Sequence, residues 1–412
     1  MEYLRTHCKR GVPGGIERTC RMVELLHHPE TSLRVIHVAG TNGKGSTSAI
    51  LESVLRENGY RVGLFTSPHL IRYEERIQIN RQPISEADFA AVLSMLVSEI
   101  VPQLLEEGME HPGEFELLTV MSWLYFKDKT DYVICEVGLG GALDPTNLIK
   151  EPLISVITPV GLDHTQLLGN SIAEIAGEKA GIIKSGIPVV VAEQTTEAVK
   201  VIQSAAERMS APIYIANREE GERIATNLLG EYQQINAKTA LIVLRVLRER
   251  RMLNMTEEAL KKGLMQVSWA GRMEYHDLGE NRGILLDGAH NPDGIRCLSE
   301  NLKALYDDRK IVLYLSILDE KEQDLMLEYL LPCAERVMIT RPESTGRAEH
   351  WKEIEEKARR IAPDCPIMLE EAGEEGLRKA VAGLKKGELL CITGSLYLLG
   401  DCEKYLKKIL AS

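Results

Sequence analysis

The residues with the clearest chemical content lie in one stretch, Gly40-Thr41-Asn42-Gly43-Lys44-Gly45-Ser46-Thr47. Glycines let backbone N–H groups turn inward on an anion. Lys44 adds a full positive charge for the outer phosphates of a nucleotide, and Ser46 or Thr47 offers a hydroxyl to Mg2+. A β-branched run, Val35, Ile36 and Val38, leads into the loop, and Ile50, Leu51, Val54 and Leu55 follow at helical spacing. Strand, glycine-rich loop and helix is the context that a phosphate loop needs, because the helix start brings further free amides and partial positive charge. The loop departs from the usual G-x-x-x-x-G-K-[ST]. Two residues separate Gly40 from Gly43, and Gly45 stands between Lys44 and Ser46. The plainer alternative is a tight turn with a surface lysine.

Further candidates fall where apolar runs end. Ser67 follows the run 62–65, Glu136 closes the run 132–136, and Asp163 and His164 follow the run 153–157. Ligands of open α/β sheets collect at the carboxyl ends of strands. A lone carboxylate such as Glu136 is costly there unless paired or on a metal. Mg2+, or water bound to it, is favoured over a structural ion pair. Ser67 is either a metal or phosphate contact or a turn serine. His164 is either a ligand or a satisfied core histidine. Lys179 lies one turn after Ile175, on a helix that Ser171 and Glu174 open as a capping box. It leans toward the packed side, so it either snorkels out or has a specific task. Phe115, in a helix's first turn, could stack on a flat ring or merely pack.

The elements that must hold these residues alternate. Strands are predicted at 35–39, 62–65, 132–136, 153–157 and 187–191. Helices are predicted at 85–106, with Phe89, Val92, Leu93, Leu96, Val97 and Ile100 inward, and at 113–127, with Leu117, Leu118, Met121 and Tyr125 inward. Another is predicted at 231–249, with Ala237, Leu241, Leu244 and Leu247 inward. Residues 1–32 read as a short helix and loops with a Gly/Pro-rich turn. The alternation restarts with strands at 284–286, 311–315, 336–339, 366–369 and 389–392. The expected fold is α/β: a mostly parallel phosphate-loop sheet domain, then a smaller Rossmann-like α/β domain. The boundary is placed near 271–280, giving domains 1–272 and 273–412, and a cleft between two such domains would suit an active site.

A chain of 412 residues exceeds one ordinary core. A formal charge of −12 argues against a broad nucleic-acid surface. No apolar run is read as approaching the ~18–20 residues of a membrane span, and the first residues lack the apolar core of a signal peptide. Eight scattered cysteines without a C-x-x-C pair suggest reduced thiols in a cytoplasm.

Seven motifs in order give this chain its resemblance to the folylpolyglutamate synthase/dihydrofolate synthase family of Mur ligases: HVAGTNGKGST (37–47), LFTSPHL (64–70), ICEVGLGG (134–141), GLDHTQLLG with EIAGEKAGIIK (161–184), GRME (271–274), LLDGAHNP (285–292) and TGSLYLLG (393–400). The resemblance implies an ATP-dependent ligase that adds L-glutamate to tetrahydrofolates, to dihydropteroate, or to both, through an acyl phosphate. Asn42 to Thr47, with Asn236, Arg272, Asp287 and His290, match its nucleotide contacts. Ser46, Ser67, Glu136, His164 and Lys179 match its metal positions, two Mg2+ sites being expected. Lys179 matches the lysine that the family carries as a carbamate. Lys44, His164 and Lys179 are the implied catalytic residues. Gly15, Arg18 and Phe115 match the folate-binding region. A monomer acting on small molecules is expected. Where the family often has Arg and Ala in its GGRLDATN stretch, this chain has Ala142 and Pro145. A Mur-type cell-wall ligase would usually carry an extra N-terminal domain, for which residues 1–32 are too short. A nucleotide-binding protein without ligase activity would not need the Ser67, Glu136, His164 and Lys179 set.

Overall fold

The computed structural model describes residues 2–8, 16–217 and 222–409. The candidate Gly15 and most of the Gly/Pro-rich turn lie outside the described residues. Contacts divide the chain into two units, residues 1–227 with 233–268, and 228–232 with 269–412. The short stretch 228–232 and residues 269–272 thus go with the second unit, where a cut at 272/273 would put them in the first.

The first unit holds an eight-stranded sheet: β1 (Val35–Ala39), β2 (Val62–Phe65), β3 (Ile77–Ile79), β4 (Gln82–Pro83), β5 (Tyr132–Glu136), β6 (Ile154–Ile157), β7 (Val189–Val191) and β8 (Ile213–Ile215), in the order β4-β3-β2-β5-β1-β6-β7-β8. β3 pairs antiparallel with both β2 and β4, and the remaining neighbours pair parallel. The central strands are buried along their whole length, as expected of a parallel sheet covered on both faces. Registers align their ends: Phe65 with Cys135, Val38 with Glu136, and Ala39 with Ile157. The segments leaving β2, β5, β1 and β6 therefore emerge side by side.

The helices Ile16–Leu25, Glu86–Met95 and Glu114–Phe126 share one core with Phe65, Val133 and Cys135. The helices Ile172–Ala180 and Thr196–Arg208 share another with Ile157, Val189 and Val191. Burying one such large apolar side chain stabilises by about 1.5–3 kcal/mol.

Several expectations need correction. The stretch 1–32, read as one short helix and loops, holds two α-helices among its described residues, Glu2–His7 and the amphipathic Ile16–Leu25, which takes in the last residues of the expected turn. The helix over 86–106 contains a π-turn at Leu96–Ile100, and Pro102 follows it; Pro cannot donate its amide to the helical ladder. This 21-residue stretch also passes, by length and composition, for a membrane span. Phe89, Leu93, Leu96 and Ile100 are nevertheless packed in the first unit's core. Tyr125 and Leu241, predicted inward, are only half-buried. The strands β3, β4 and β8 went unseen because each is only two or three residues long; β4 and β8 are the sheet's edges and half-exposed or exposed, and β3 is a three-residue Ile-Gln-Ile piece.

The second unit holds a six-stranded sheet: β9 (Glu274–Gly279), β10 (Arg282–Leu286), β11 (Lys310–Leu315), β12 (Ala334–Ile339), β13 (Ile367–Leu369) and β14 (Glu388–Thr393), ordered β13-β12-β11-β14-β10-β9. The polar run 276–283 is not a linker but a hairpin, with β9 antiparallel to β10. Glu280 and Asn281 both take positive φ at its turn, as a two-residue hairpin loop requires.

Candidate active site

The loop after β1 is held open by geometry that only glycine allows. Gly40 has φ +149°, and a Cβ there would lie 1.8 Å from Thr158 Oγ1. Gly43, with φ +85°, caps the Lys44–Glu57 helix, and its Cβ would lie 2.3 Å from Asn236 Oδ1. The amides of Thr41 and Asn42 both donate to Pro159 O, and Thr41 Oγ1 donates to Gly161 O. The loop is thereby fastened to the segment leaving β6. Beyond Gly43, the first helical turn carries no acidic residue. Its free amides and partial positive charge stay available to an anion.

Lys44 is not simply solvated. Its ammonium donates to Gly40 O at 3.0 Å and Thr41 O at 3.2 Å, and lies 3.8 Å from Glu136 Oε1. Glu136 is 3% exposed. Ser46 Oγ accepts a bond from Gln233 Nε2 at 3.2 Å, and Gln233 Oε1 accepts one from Asn236 Nδ2 at 2.9 Å. Gln233 and Asn236 are buried polar residues on the Tyr232–Glu249 helix. Thr47 Oγ1 is buried with no hydrogen-bond partner.

Ser67 sits half-buried in the segment leaving β2. His164 has φ +51° and stands at the start of a single helical turn, with Asp163 Oδ1 accepting its amide at 2.9 Å. Its ring is 41% exposed, 4.0 Å from Asp163. Lys179 is buried, and burial, then the charge of Lys44, pushes its ammonium down to about 7. A lysine so placed is partly the neutral amine near neutral pH. Lys44 and Glu136 are brought into contact, and Lys44 and Lys179 into electrostatic range. Among the described residues, no group of three or more His, Cys, Asp or Glu could by itself cage a metal ion. Mg2+ commonly binds with one or two carboxylates plus waters and phosphates, and Glu136 with the Ser46 and Ser67 hydroxyls fits that pattern.

Other predicted residues are placed as follows. Arg18 donates to Glu116 Oε2 at 3.1 Å, so its guanidinium is engaged. The Phe115 ring lies over Gly138, where a Cβ would come within 2.5 Å of it, and 5.6 Å from the Phe65 ring. In the second unit Asp287 is buried, and burial pushes its carboxyl up. It accepts bonds from the amides of Met273 and Ala289 at 3.0 and 2.9 Å. Arg272 Nη1 donates to Gly271 O, and His290 Nδ1 is 2.8 Å from Gly288 O.

Residues 271–396 match the Mur ligase, glutamate ligase domain. The chain is 38% identical to the dihydrofolate synthase/folylpolyglutamate synthase of Bacillus subtilis, over 98% of each chain. The chain belongs to the folylpolyglutamate synthase/dihydrofolate synthase family. Among solved members, a Mycobacterium tuberculosis folylpolyglutamate synthase complexed with ADP and AMPPCP is 29% identical with a TM-score of 0.85, covering 95% of each chain. The Escherichia coli protein in complex with DHPP and ADP is 27% identical with a TM-score of 0.85, over 99% of this chain and 97% of that one.

Sequence reasoning missed the inner frame of this family's site. Asp144 is buried. Its Oδ2 accepts the amides of Gly138 and Leu139 at 3.1 and 3.0 Å, and its Oδ1 accepts those of Thr146's amide and hydroxyl. Thr146 Oγ1 is in turn 2.9 Å from Nε2 of His37, which burial pushes down to about 3 and keeps neutral. Gln233 was missed as well. A buried polar residue at a helix start was the available signal, but its partner is 187 positions away.

Proposed function

We propose that this chain is an ATP-dependent carboxylate–amine ligase that joins L-glutamate to folates. The observation that carries the reading is the approach of Lys44 to Glu136 at the aligned strand ends, in a chain of this family. A carboxylate is a poor electrophile, so the γ-phosphoryl group of ATP is first transferred to it. The resulting acyl phosphate is attacked by the amine of glutamate, and phosphate leaves as the amide forms. The protein's work is charge neutralisation and positioning. The amides of residues 43–46 cradle the phosphates, those of Asn42 and Thr47 being engaged by Pro159 O and Gly43 O, and Lys44 leaves its own loop carbonyls to neutralise them. Asn236, through Gln233, holds Ser46 in place. Arg272, Asp287 and His290 are assigned as further nucleotide contacts.

Mg2+ would be held by Ser46, Ser67, Glu136 and His164, and when bound it would neutralise phosphate charge. Lys179 is assigned as a carbamate: its neutral amine adds CO2 and releases a proton, which turns a cation into an anion able to face a metal. Arg18 and Phe115 are assigned to the folate end. Eight scattered cysteines without a C-x-x-C pair suit a reducing compartment, and the reaction is assigned to the cytoplasm.

The deciding experiment is ADP release with and without each substrate. Release should require both a folate and L-glutamate, and a glutamate-independent ATPase would overturn the ligase reading. Comparing dihydropteroate with tetrahydrofolate as acceptor then fixes the substrate range. Lys179→Ala should lose activity and regain part of it with added short carboxylic acids.

A further inference from the structure

The segment leaving β5, residues 137–147, lies against the end of the helix that carries Lys179. A Cβ on Gly141 would come within 2.6 Å of Glu178 O and 3.0 Å of Lys179 Cα. One on Gly181 would come within 2.5 Å of Ala142 Cα. Ala142 donates its amide to Glu178 O at 2.8 Å. Backbone therefore meets backbone with no side chain between.

Asn147 fastens this contact. Its Nδ2 donates to Ala142 O at 2.9 Å, within its own segment, and to Gly181 O at 3.2 Å, two residues past Lys179. Its Oδ1 accepts from Lys184 Nζ at 2.8 Å, and its carbonyl oxygen accepts from the same ammonium at 3.1 Å. Two acceptors on one side and an ammonium on the other fix which way the amide points. The other end of the segment is tied by Asp144 to Gly138 and Leu139, next to Glu136. Asn147 is thus a side-chain link between the segment that starts after Glu136 and the turn that follows Lys179.

We propose that Asn147, seated by Lys184, is a positioning residue that sets the place of Lys179 relative to Glu136. This rests on the reading that Lys179 takes part in the reaction. Asn147 itself need touch no substrate. It serves two backbone carbonyls, and loss of either bond frees the Lys179 turn to shift. A displacement of about 1 Å at a reacting site costs on the order of a hundredfold in rate.

The test is a double-mutant cycle on the full chain, with kcat and the KM for ATP measured for wild type, Asn147→Ala, Lys179→Ala and the double variant. The variants carrying Lys179→Ala are assayed with a saturating short carboxylic acid. Asn147→Ala alone should lower kcat about tenfold to a hundredfold, with the KM for ATP within about twofold of wild type. Added to Lys179→Ala it should cost nothing further. An equal fold-loss in both backgrounds would overturn the proposal, as would a loss that follows the folded fraction in a thermal melt. Should Asn147→Ala fail to fold, Lys184→Met keeps Asn147 and removes only its seat, and the same cycle applies. Wild-type turnover in Lys179→Ala would instead sink the role given to Lys179, whatever Asn147 does.

Discussion

Among the described residues Lys44 bonds to its own loop carbonyls and approaches Glu136, so its loss should leave the fold standing while removing the charge that faces the phosphates. Lys44→Ala is expected to lose turnover by about 10²-fold or more, with an unchanged far-UV spectrum. Kinetics alongside circular dichroism checks this. A second residue-scale outcome concerns His276 and Glu274, whose side chains lie on the same face of β9, 3.1 Å apart. The bond to Glu274 holds the His276 ring above 6.5, and the bond from His276 holds the Glu274 carboxyl below 4.5. The histidine's contribution is complete below 6.5 and fades as pH rises through its raised value. The carboxyl's is complete above 4.5 and fades as pH falls through its lowered value. Urea midpoints of wild type and His276→Gln should therefore differ most between these two pH values. The gap should be under about 1 kcal/mol, since the pair is partly exposed. At this scale the chain was readable where chemistry sits in consecutive letters, as in the 40–47 loop. The chain His37–Thr146–Asp144 was not, because its members gain meaning only when β1 meets the segment leaving β5.

Elements that are mostly apolar along a buried strand were read from the sequence because both of their faces are covered. β1, β5 and β6 are of that kind. β9 alternates Glu, Tyr, His and Asp and looks like a loop until β10 pairs with it. The turn between β1 and its helix has a sharper requirement. Gly43→Ala would force a side chain into positive φ and against Asn236 Oδ1. Strain of about 1–3 kcal/mol should lower the melting temperature and raise the KM for ATP together. A normal KM in that variant would mean that the loop relaxes without disturbing the phosphate cradle.

For the whole molecule, two sheets with separate cores were legible from the restart of strand and helix alternation. The membership of 228–232 was not. Leu-Leu-Gly-Glu-Tyr has no distinctive pattern, and its place is fixed by Asn301 Oδ1 accepting the Glu231 amide and by Tyr232 OH donating to Asp287. Nucleotide in hundredfold excess over its dissociation constant should stabilise the native chain by about 2.7 kcal/mol. Calorimetry of wild type beside Lys44→Ala would test this, the variant being expected to lose most of the gain.

The five residues lent by the first half of the chain carry a practical consequence. No single cut yields both halves intact, since any break between 227 and 269 strands part of one with the other. Anyone wishing to express either half alone must excise 228–232 and rejoin the flanking ends, or supply those residues from elsewhere. For the same reason, swapping C-terminal halves among relatives should succeed only when this pentapeptide travels with its Asn301 and Asp287 partners.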